Sequence, residues 1–409
     1  MAGKPTSDVS IVSSIDRRGF IKIAAAVVGV SGLVPWDRWS NALGATVKPR
    51  TARFPEKTDL IFLTDRPPQL ETPLKYFKEE ITPNDAFFVR WHVSGIPTEV
   101  DTAKYRLKVI GQVDKPLELS VDDLRKNFEP VSVVAVCQCS GNSRSYFEPR
   151  VAGGEWGHGA VGNAKWTGVR LKDLLAKAGV KQGAIEVSFT GMDRPPIPAT
   201  PTFAKSLKIE KANDPDVIVA YEMNGKELPM LNGFPVRLVV PGWFATYWVK
   251  SLEEIQVWSE HFKTFWMDKA YRIPNNPTGS ESPKALATDT VPISNMPVRS
   301  LFATPANGAQ IDAGKATSVE GIAFDGGSGI KMVEVSADGG KTWNAAKLGD
   351  DLGKFSFRLW TYDWTPADKG DVKLMVRATS NAGEKQIDYL WNRSGYRRNV
   401  VEHIDVTVA

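Results

Sequence analysis

The run Val131–Gln138 constrains the fold most. It places valines at 131, 133, 134 and 136, a β-branched density that suits a strand buried within a sheet. The run leads straight into Cys137 and Cys139, the chain's only cysteines, and then breaks into Ser140-Gly141-Asn142-Ser143-Arg144, a turn composition. A thiol at the end of a rigid strand, beside a loop that carries a cation, can hold a soft metal over an anion. The same cysteines also fit the bland role of small core hydrophobes. Spaced two apart on a strand, they are badly placed to form a disulfide with each other.

Residue counts narrow the metal chemistry further. The histidines are His92, His158, His261 and His403, far apart in sequence, and no CxxC pair occurs. That excludes the common zinc cages. The haem-attachment pattern CxxCH is absent too, and two thiols are too few for an iron–sulfur cluster. A redox cofactor here must need at most one or two protein ligands, and any haem must sit on another chain. A net charge of +4 with no Lys/Arg-rich run leaves no nucleic-acid footprint.

The chain opens with Arg17-Arg18-Gly19-Phe20-Ile21-Lys22 before a mildly apolar stretch, Ile23 to Val34. Paired arginines in that setting read as a twin-arginine export signal over residues 1–45, with cleavage expected between Ala42 and Ala45. The apolar stretch falls short of the about 20 residues a spanning helix needs, so no membrane span remains once the signal is removed. Residues 46 to about 80 are Pro- and charge-rich and read as an extended arm. The spelling Phe87-Phe88-Val89-Arg90-Trp91-His92 then reads as a strand that ends in a cation and an imidazole.

Ser120 with Asp123 three residues on predicts a capped helix, Val121 to Phe128. Leu171 to Ala178 reads as a helix stopped at Gly179, and Ile185 to Gly191 as a strand that leads to Asp193. Asn224-Gly225 predicts a tight hairpin between Val217–Tyr221 and Leu228–Met230. Residues 272–298 hold five prolines and read as a linker. Beyond it, alternating strands joined by Gly/Asp turns predict a small β-sandwich.

Taken in order, FFVRWH, CSGNSR, GGEWGHGAVGNAKWTGVRLKDLL, AYEMNGKELP, GFPVRLVVPG, WVKSL and VEVSADGGKTW resemble the sulfite oxidase family. Within it, the nearest likeness is to the molybdenum subunit of bacterial sulfite:cytochrome c oxidoreductases. The resemblance implies an α+β fold: a molybdopterin-binding catalytic domain with its N-terminal arm over 46–285, then an immunoglobulin-like β-sandwich of the dimerisation type over 286–409. It implies one molybdenum-molybdopterin per chain, with Cys139 as the metal ligand and Cys137 structural. Arg90 and Arg144 match substrate-site arginines, and Tyr271 the active-site tyrosine. Phe88, Val89, Arg90, His92, Asp193, Arg237, Trp248 and Lys250 match positions that hold the pterin and its phosphate. Arg237 interrupts an apolar strand, where an unpaired cation is costly, and a phosphate partner resolves that cost.

The implied reaction is oxidation of sulfite to sulfate in a bacterial periplasm, with electrons passed singly to a c-type cytochrome subunit or a soluble cytochrome c. Either a homodimer or a heterodimer with the cytochrome is compatible with the sandwich. Two other readings remain: a periplasmic sulfoxide reductase of the same family, and a secreted binding module without catalysis. The chain departs from the family at three places. Ser143 stands where a second arginine is common, Asn232 where a histidine often is, and Ser394 at the position of the animal enzymes' C-terminal arginine, with Arg393 as its neighbour.

Overall fold

The computed structural model describes residues 51, 52 and 54–409. The export-signal reading over 1–45 lies outside them. Among the described residues, no helix is long and apolar enough to cross a membrane.

The arm does not simply wrap the body; it builds a sheet. Strands β1 (Thr51–Ala52), β2 (Leu60–Asp65), β3 (Pro68–Glu71) and β4 (Val89–Arg90) pair in that order, with Gln69 opposite Arg90. Only Val89 and Arg90 of the FFVRWH run are strand. Leu60, Leu70, Val89 and Trp91 form a small core of their own, so Val89 faces that core while Arg90 alternates away from it.

Two five-stranded sheets follow. One has the order β10-β9-β14-β5-β6, from β5 (Leu107–Gly111), β6 (Leu117–Leu119), β9 (Glu186–Gly191), β10 (Ala204–Lys208) and β14 (Leu252–Trp258). The other joins β7 (Val131–Gln138), β8 (Val161–Arg170), β11 (Ile218–Met223) and β12 (Lys226–Glu227), with β13 (Arg237–Val239) also paired to β11. Helix Val121–Asn127 carries the expected capping box: the Ser120 hydroxyl accepts from Asp123 N, and Asp123 accepts from Ser120 N. The Asn224-Gly225 turn has φ of +55° and +74°, as a primed hairpin turn requires. Its second strand is Lys226–Glu227 rather than Leu228–Met230, because Pro229 has no N–H to extend the ladder.

The stretch 272–298 is also more ordered than a linker. Strands β15 (Arg272–Pro274) and β16 (Thr290–Pro292) pair as a ribbon, with prolines at their ends where no ladder donor is needed. The remaining strands form the expected sandwich. One sheet has the order β17-β19-β23-β22, from β17 (Arg299–Thr304), β19 (Thr317–Phe324), β22 (Lys347–Leu348) and β23 (Arg358–Trp364). The other has the order β18-β25-β24-β20-β21, from β18 (Gln310–Ile311), β20 (Ile330–Ser336), β21 (Asn344–Ala345), β24 (Gly370–Ser380) and β25 (Glu402–Val408); β17 and β25 bear on the site. Val319, Val333, Trp360, Leu374 and Val376 fill the space between them. A separate apolar cluster joins the two halves: Phe77, Val136, Val161 and Tyr271 pack with Leu301, Ile322, Phe324 and Phe357. The sandwich therefore buttresses the back of β7, the strand that ends at the cysteines.

Candidate active site

Strand β7 delivers Cys139 to the bottom of a cavity. Its register with β8, Gln138 opposite Val161, stops one residue short of the thiol. A tight loop then takes over. Cys139 N donates to Ala160 O at 2.9 Å and Asn142 N donates to Cys139 O at 3.0 Å. Asn142 fixes the loop from its other side: its Oδ1 accepts from Ala160 N at 3.0 Å and its Nδ2 donates to Gln138 Oε1 at 3.2 Å. Cys137 and Cys139 are both free thiols. Burial pushes the Cys137 thiol up to about 11 against the nearby charge of Arg237, so it stays protonated at neutral pH.

Two cavities meet at this loop. The deeper one is lined by Phe88, Arg90, His92, Cys137, Cys139, Ser140, Asn232, Arg237, Thr246, Lys250 and Tyr271, among others. The more open one is lined by Arg90, Cys139, Arg144, Trp156, Lys269, Tyr271, Ser394 and Tyr396, with Gln69 and glycines 153 and 154. Arg90, Cys139 and Tyr271 belong to both and mark the junction.

The deeper cavity is polar and incompletely satisfied. Arg90 Nη1, His92 Nε2, Ser140 Oγ, Arg237 Nε and Thr246 Oγ1 are buried there without a hydrogen-bond partner. Buried polar atoms are normally paired, so orphans converging on one cavity fit a large polar ligand. Arg237 is the clearest case. Its Nη1 donates to Asn232 O at 2.9 Å and its Nη2 to Trp248 O at 3.1 Å, yet no carboxylate faces it among the described ion pairs. Burial lowers its pKa, and an incoming phosphate would reverse that cost. Lys250 Nζ donates to Arg90 O at 2.7 Å, and burial together with Arg237's charge pulls its ammonium down. His92 is held well below the usual imidazole range by burial and by Arg90, Lys250 and Lys205. It is therefore neutral, its ring stacked on Phe203 at 3.5 Å.

Three residues expected at the pterin do not line the cavity. Val89 belongs to the arm's core. Asp193 is 2% exposed, and burial raises its carboxyl to about 6 against the charge of Lys250. Trp248 packs edge-on against Trp166 at 5.6 Å and donates Nε1 to Trp243 O; its carbonyl, rather than its ring, serves the site through Arg237. Asn232 accepts from Lys57 of the arm and donates Nδ2 to Phe88 O at 3.1 Å. Its amide is thus consumed by the protein.

At the junction, Tyr271 sits at φ +56°, a left-handed setting uncommon for an aromatic residue. Burial raises its pKa, so its phenol remains a hydrogen-bond donor. Arg90 lies 6.0 Å from the ring centroid of Tyr271. Arg144 enters the open pocket from the other side, with Nε donating to Ser394 O at 3.2 Å and Nη1 to Gly154 O at 3.1 Å. Gly153 (φ +127°) allows this: a Cβ there would lie 2.7 Å from Arg144 Nη1. Arg393 is turned away and pairs with Glu281.

Ser140, Thr246, Tyr396 and Arg299 escaped the sequence reading. Ser140 and Thr246 are lone polar residues in apolar or glycine-bearing stretches, and Tyr396 lies in a polar, basic run, Asn392-Arg393-Ser394-Gly395-Tyr396-Arg397-Arg398, that carries no site signal. Arg299 lies 155 residues beyond Arg144, and no local pattern marks it.

Comparison with known proteins agrees with this geometry. Residues 93–266 match the model of the oxidoreductase molybdopterin binding domain, and 290–409 that of the Mo-co oxidoreductase dimerisation domain. The chain is 32% identical to the mitochondrial sulfite oxidase of Rattus norvegicus over 424 residues, covering 100% of this chain and 76% of the rat protein. It is 34% identical to the mitochondrial sulfite oxidase of Homo sapiens, over 85% of this chain and 65% of the human one. The chain thus spans about two thirds to three quarters of these relatives. Among solved structures, the sulfane dehydrogenase SoxCD from Paracoccus pantotrophus superimposes with a TM-score of 0.73 at 25% identity, covering 90% of this chain and 89% of that one.

Proposed function

This chain belongs to the sulfite oxidase family of molybdopterin oxidoreductases, and from that premise we propose that it oxidises sulfite to sulfate and hands the electrons singly to a c-type cytochrome. The observation that carries the reading is the junction of a polar, unsatisfied cavity with a cationic pocket at Arg90, Cys139 and Tyr271. The residues fit the family's cofactor. Cys139 would ligate molybdenum as thiolate, and Arg237, Lys250, His92 and Phe88 would hold the pterin and its phosphate. When bound, that group supplies a two-electron oxidation with transfer of one oxygen atom to the substrate sulfur.

The protein's own residues do the rest. Arg90 and Arg144 flank the junction and would orient a small oxyanion with its sulfur toward Cys139. Tyr271, protonated and fixed by its backbone, would donate to a substrate oxygen and strengthen that bond as charge develops. Trp156 and Tyr396 narrow the pocket and limit water around it. Sulfite and one water give sulfate, two protons and two electrons, so two protons must leave the pocket in each turnover. We assign the electrons to a c-type cytochrome on another polypeptide, in a periplasm reached by twin-arginine export. The sandwich would supply either a homodimer contact or the cytochrome's seat.

The test is sulfite-dependent reduction of cytochrome c or ferricyanide by purified protein. Cys139→Ser should abolish turnover while its melting curve stays that of the wild type. Reduction of methionine sulfoxide with no sulfite oxidation would replace this reading with the reductase one. The likeness to a sulfane dehydrogenase supplies the second substrate to try, a sulfane-sulfur compound offered in the same assay.

A further inference from the structure

The segment Asn392–Arg397 lies beyond the first sandwich strands, yet it walls the open pocket through Ser394 and Tyr396. Its backbone holds an uncommon shape. Gly395 at φ +58° and Arg397 at φ +61° flank Tyr396, both left-handed. A non-glycine residue in that region persists only where its surroundings over-determine it, and such sites gather at functional positions.

Those surroundings are explicit. Asn392 Oδ1 accepts from Tyr396 N at 3.1 Å and Asn392 Nδ2 donates to Tyr396 O at 3.0 Å. Arg397 N donates to Ser140 O at 3.2 Å, tying the segment to the residue after Cys139. Arg397 Nη1 donates to the carbonyls of Pro277 and Thr278. A Cβ on Gly395 would lie 2.7 Å from Arg144 Cγ, so the segment can close on Arg144 only with glycine there.

The result is a layered arrangement. The Tyr396 ring lies parallel to that of Tyr271, with centroids 5.4 Å apart and planes 1° from parallel. The Arg144 guanidinium sits 5.1 Å from the Tyr396 centroid. Ser394 contributes its carbonyl to Arg144, and its short side chain leaves wall space beside the pocket. Arg144 thus has two donors engaged by carbonyls and an aromatic face at hand, and Tyr396 fixes where its charge points.

The geometry points to Tyr396 as a positioning residue of this pocket, which aims Arg144 at a small oxyanion and supplies the wall that Ser394 is too short to build. The inference rests on sulfite being the substrate. It gives Tyr396 a role in binding that substrate and similar oxyanions alike, so its loss should appear in KM and in inhibition by sulfate, and little in kcat.

The test compares wild type, Tyr396→Phe and Tyr396→Val, matched for molybdenum content and melting temperature. Tyr396→Phe keeps the ring face and should hold KM for sulfite within threefold. Tyr396→Val should raise KM and the sulfate inhibition constant together by tenfold or more, with kcat within threefold. If Tyr396→Val fails to fold, Tyr396→Leu, closer in volume but without a π face, carries the same expectation. Unchanged constants in the aliphatic variants, or a loss confined to kcat, would overturn the role. Sulfate binding read from tryptophan fluorescence, with Trp156 in the pocket wall, needs no turnover. If sulfate binds wild type and Tyr396→Phe but not the aliphatic variants, and no form oxidises sulfite, the role of Tyr396 stands and the substrate assignment fails.

Discussion

Replacing Arg299 by methionine tests whether the sandwich holds the cysteine loop. Arg299 opens β17 and is 1% exposed. Its Nη2 pairs with Glu402 at 2.9 Å and donates to Ser143 Oγ at 2.6 Å, while Nη1 donates to Gln138 Oε1 at 3.1 Å. Gln138 immediately precedes Cys139, and Ser143 immediately precedes Arg144, so one guanidinium grips both ends of the loop. Removing one partner of a buried pair costs about 3–5 kcal/mol when the other charge is left alone. Here Glu402 keeps Arg398, at 3.0 Å through each oxygen. Ser143 likewise keeps His158 Nδ1 at 2.6 Å and Gln138 keeps Asn142. The lower figure therefore applies, about 3 kcal/mol.

Denaturant unfolding, read as a midpoint shift at unchanged slope, measures this loss. Its pH dependence follows from Glu402, whose carboxyl burial would raise but which Arg398, His158 and Arg299 hold at about 2. A carboxylate with a depressed folded pKa stabilises above its unfolded value near 4.5 and loses that contribution as pH falls toward 2. The gap between wild type and Arg299→Met should therefore shrink below about pH 4.5. A loss under about 1 kcal/mol at pH 7, or a gap that ignores pH, would refute the reasoning.

Two further predictions concern the pocket and the glycine-rich loop beside it. Arg90→Met should raise KM for sulfite far more than it lowers kcat; a unit charge about 5 Å away at an effective dielectric near 20 is worth about 3 kcal/mol, on the order of a hundredfold. An unchanged KM in steady-state assays would remove Arg90 from substrate binding. Glu71 accepts from Gly157 N at 2.5 Å and Gly159 N at 3.3 Å, and burial, outweighing those bonds, raises its carboxyl from 4.5 to about 7. The contribution of such a group is complete below about pH 4.5 and lost as pH rises through 7, about 3 kcal/mol across the window. Glu71→Gln should flatten that part of the stability–pH curve, and an unaltered slope in thermal melts from pH 5 to 8 would count against it.

The sequence marks strongly whatever local chemistry decides. The β-branched run into Cys139, the Ser120 capping box, the Asn224-Gly225 turn and the alternating sandwich strands all carry their signals within a few residues. Arg90, Cys139, Arg144, His92, Arg237, Lys250 and Tyr271 were found through the family resemblance, and the structure brings them around two joined cavities. What the sequence hides is long-range. Arg299 and Tyr396 reach the site from the second half of the chain, where nothing nearby sets them apart from ordinary strand and loop residues. The ribbon of β15 and β16 is masked by its prolines, which suggest a linker although they occupy strand ends. Val89 and Trp248 show the converse: a motif position near a site need not point its side chain into it.

The most direct measurement is molybdenum per chain in purified protein, for wild type and for Cys139→Ser. The account predicts close to one molybdenum per wild-type chain, with pterin recoverable on denaturation. It also predicts that the Cys139→Ser protein, though folded, has lost the thiolate bond to the metal, visible as loss of the cysteine-thiolate-to-molybdenum absorption band. Wild-type protein with neither molybdenum nor pterin, or a Cys139→Ser variant with an unaltered spectrum and full turnover, would contradict it.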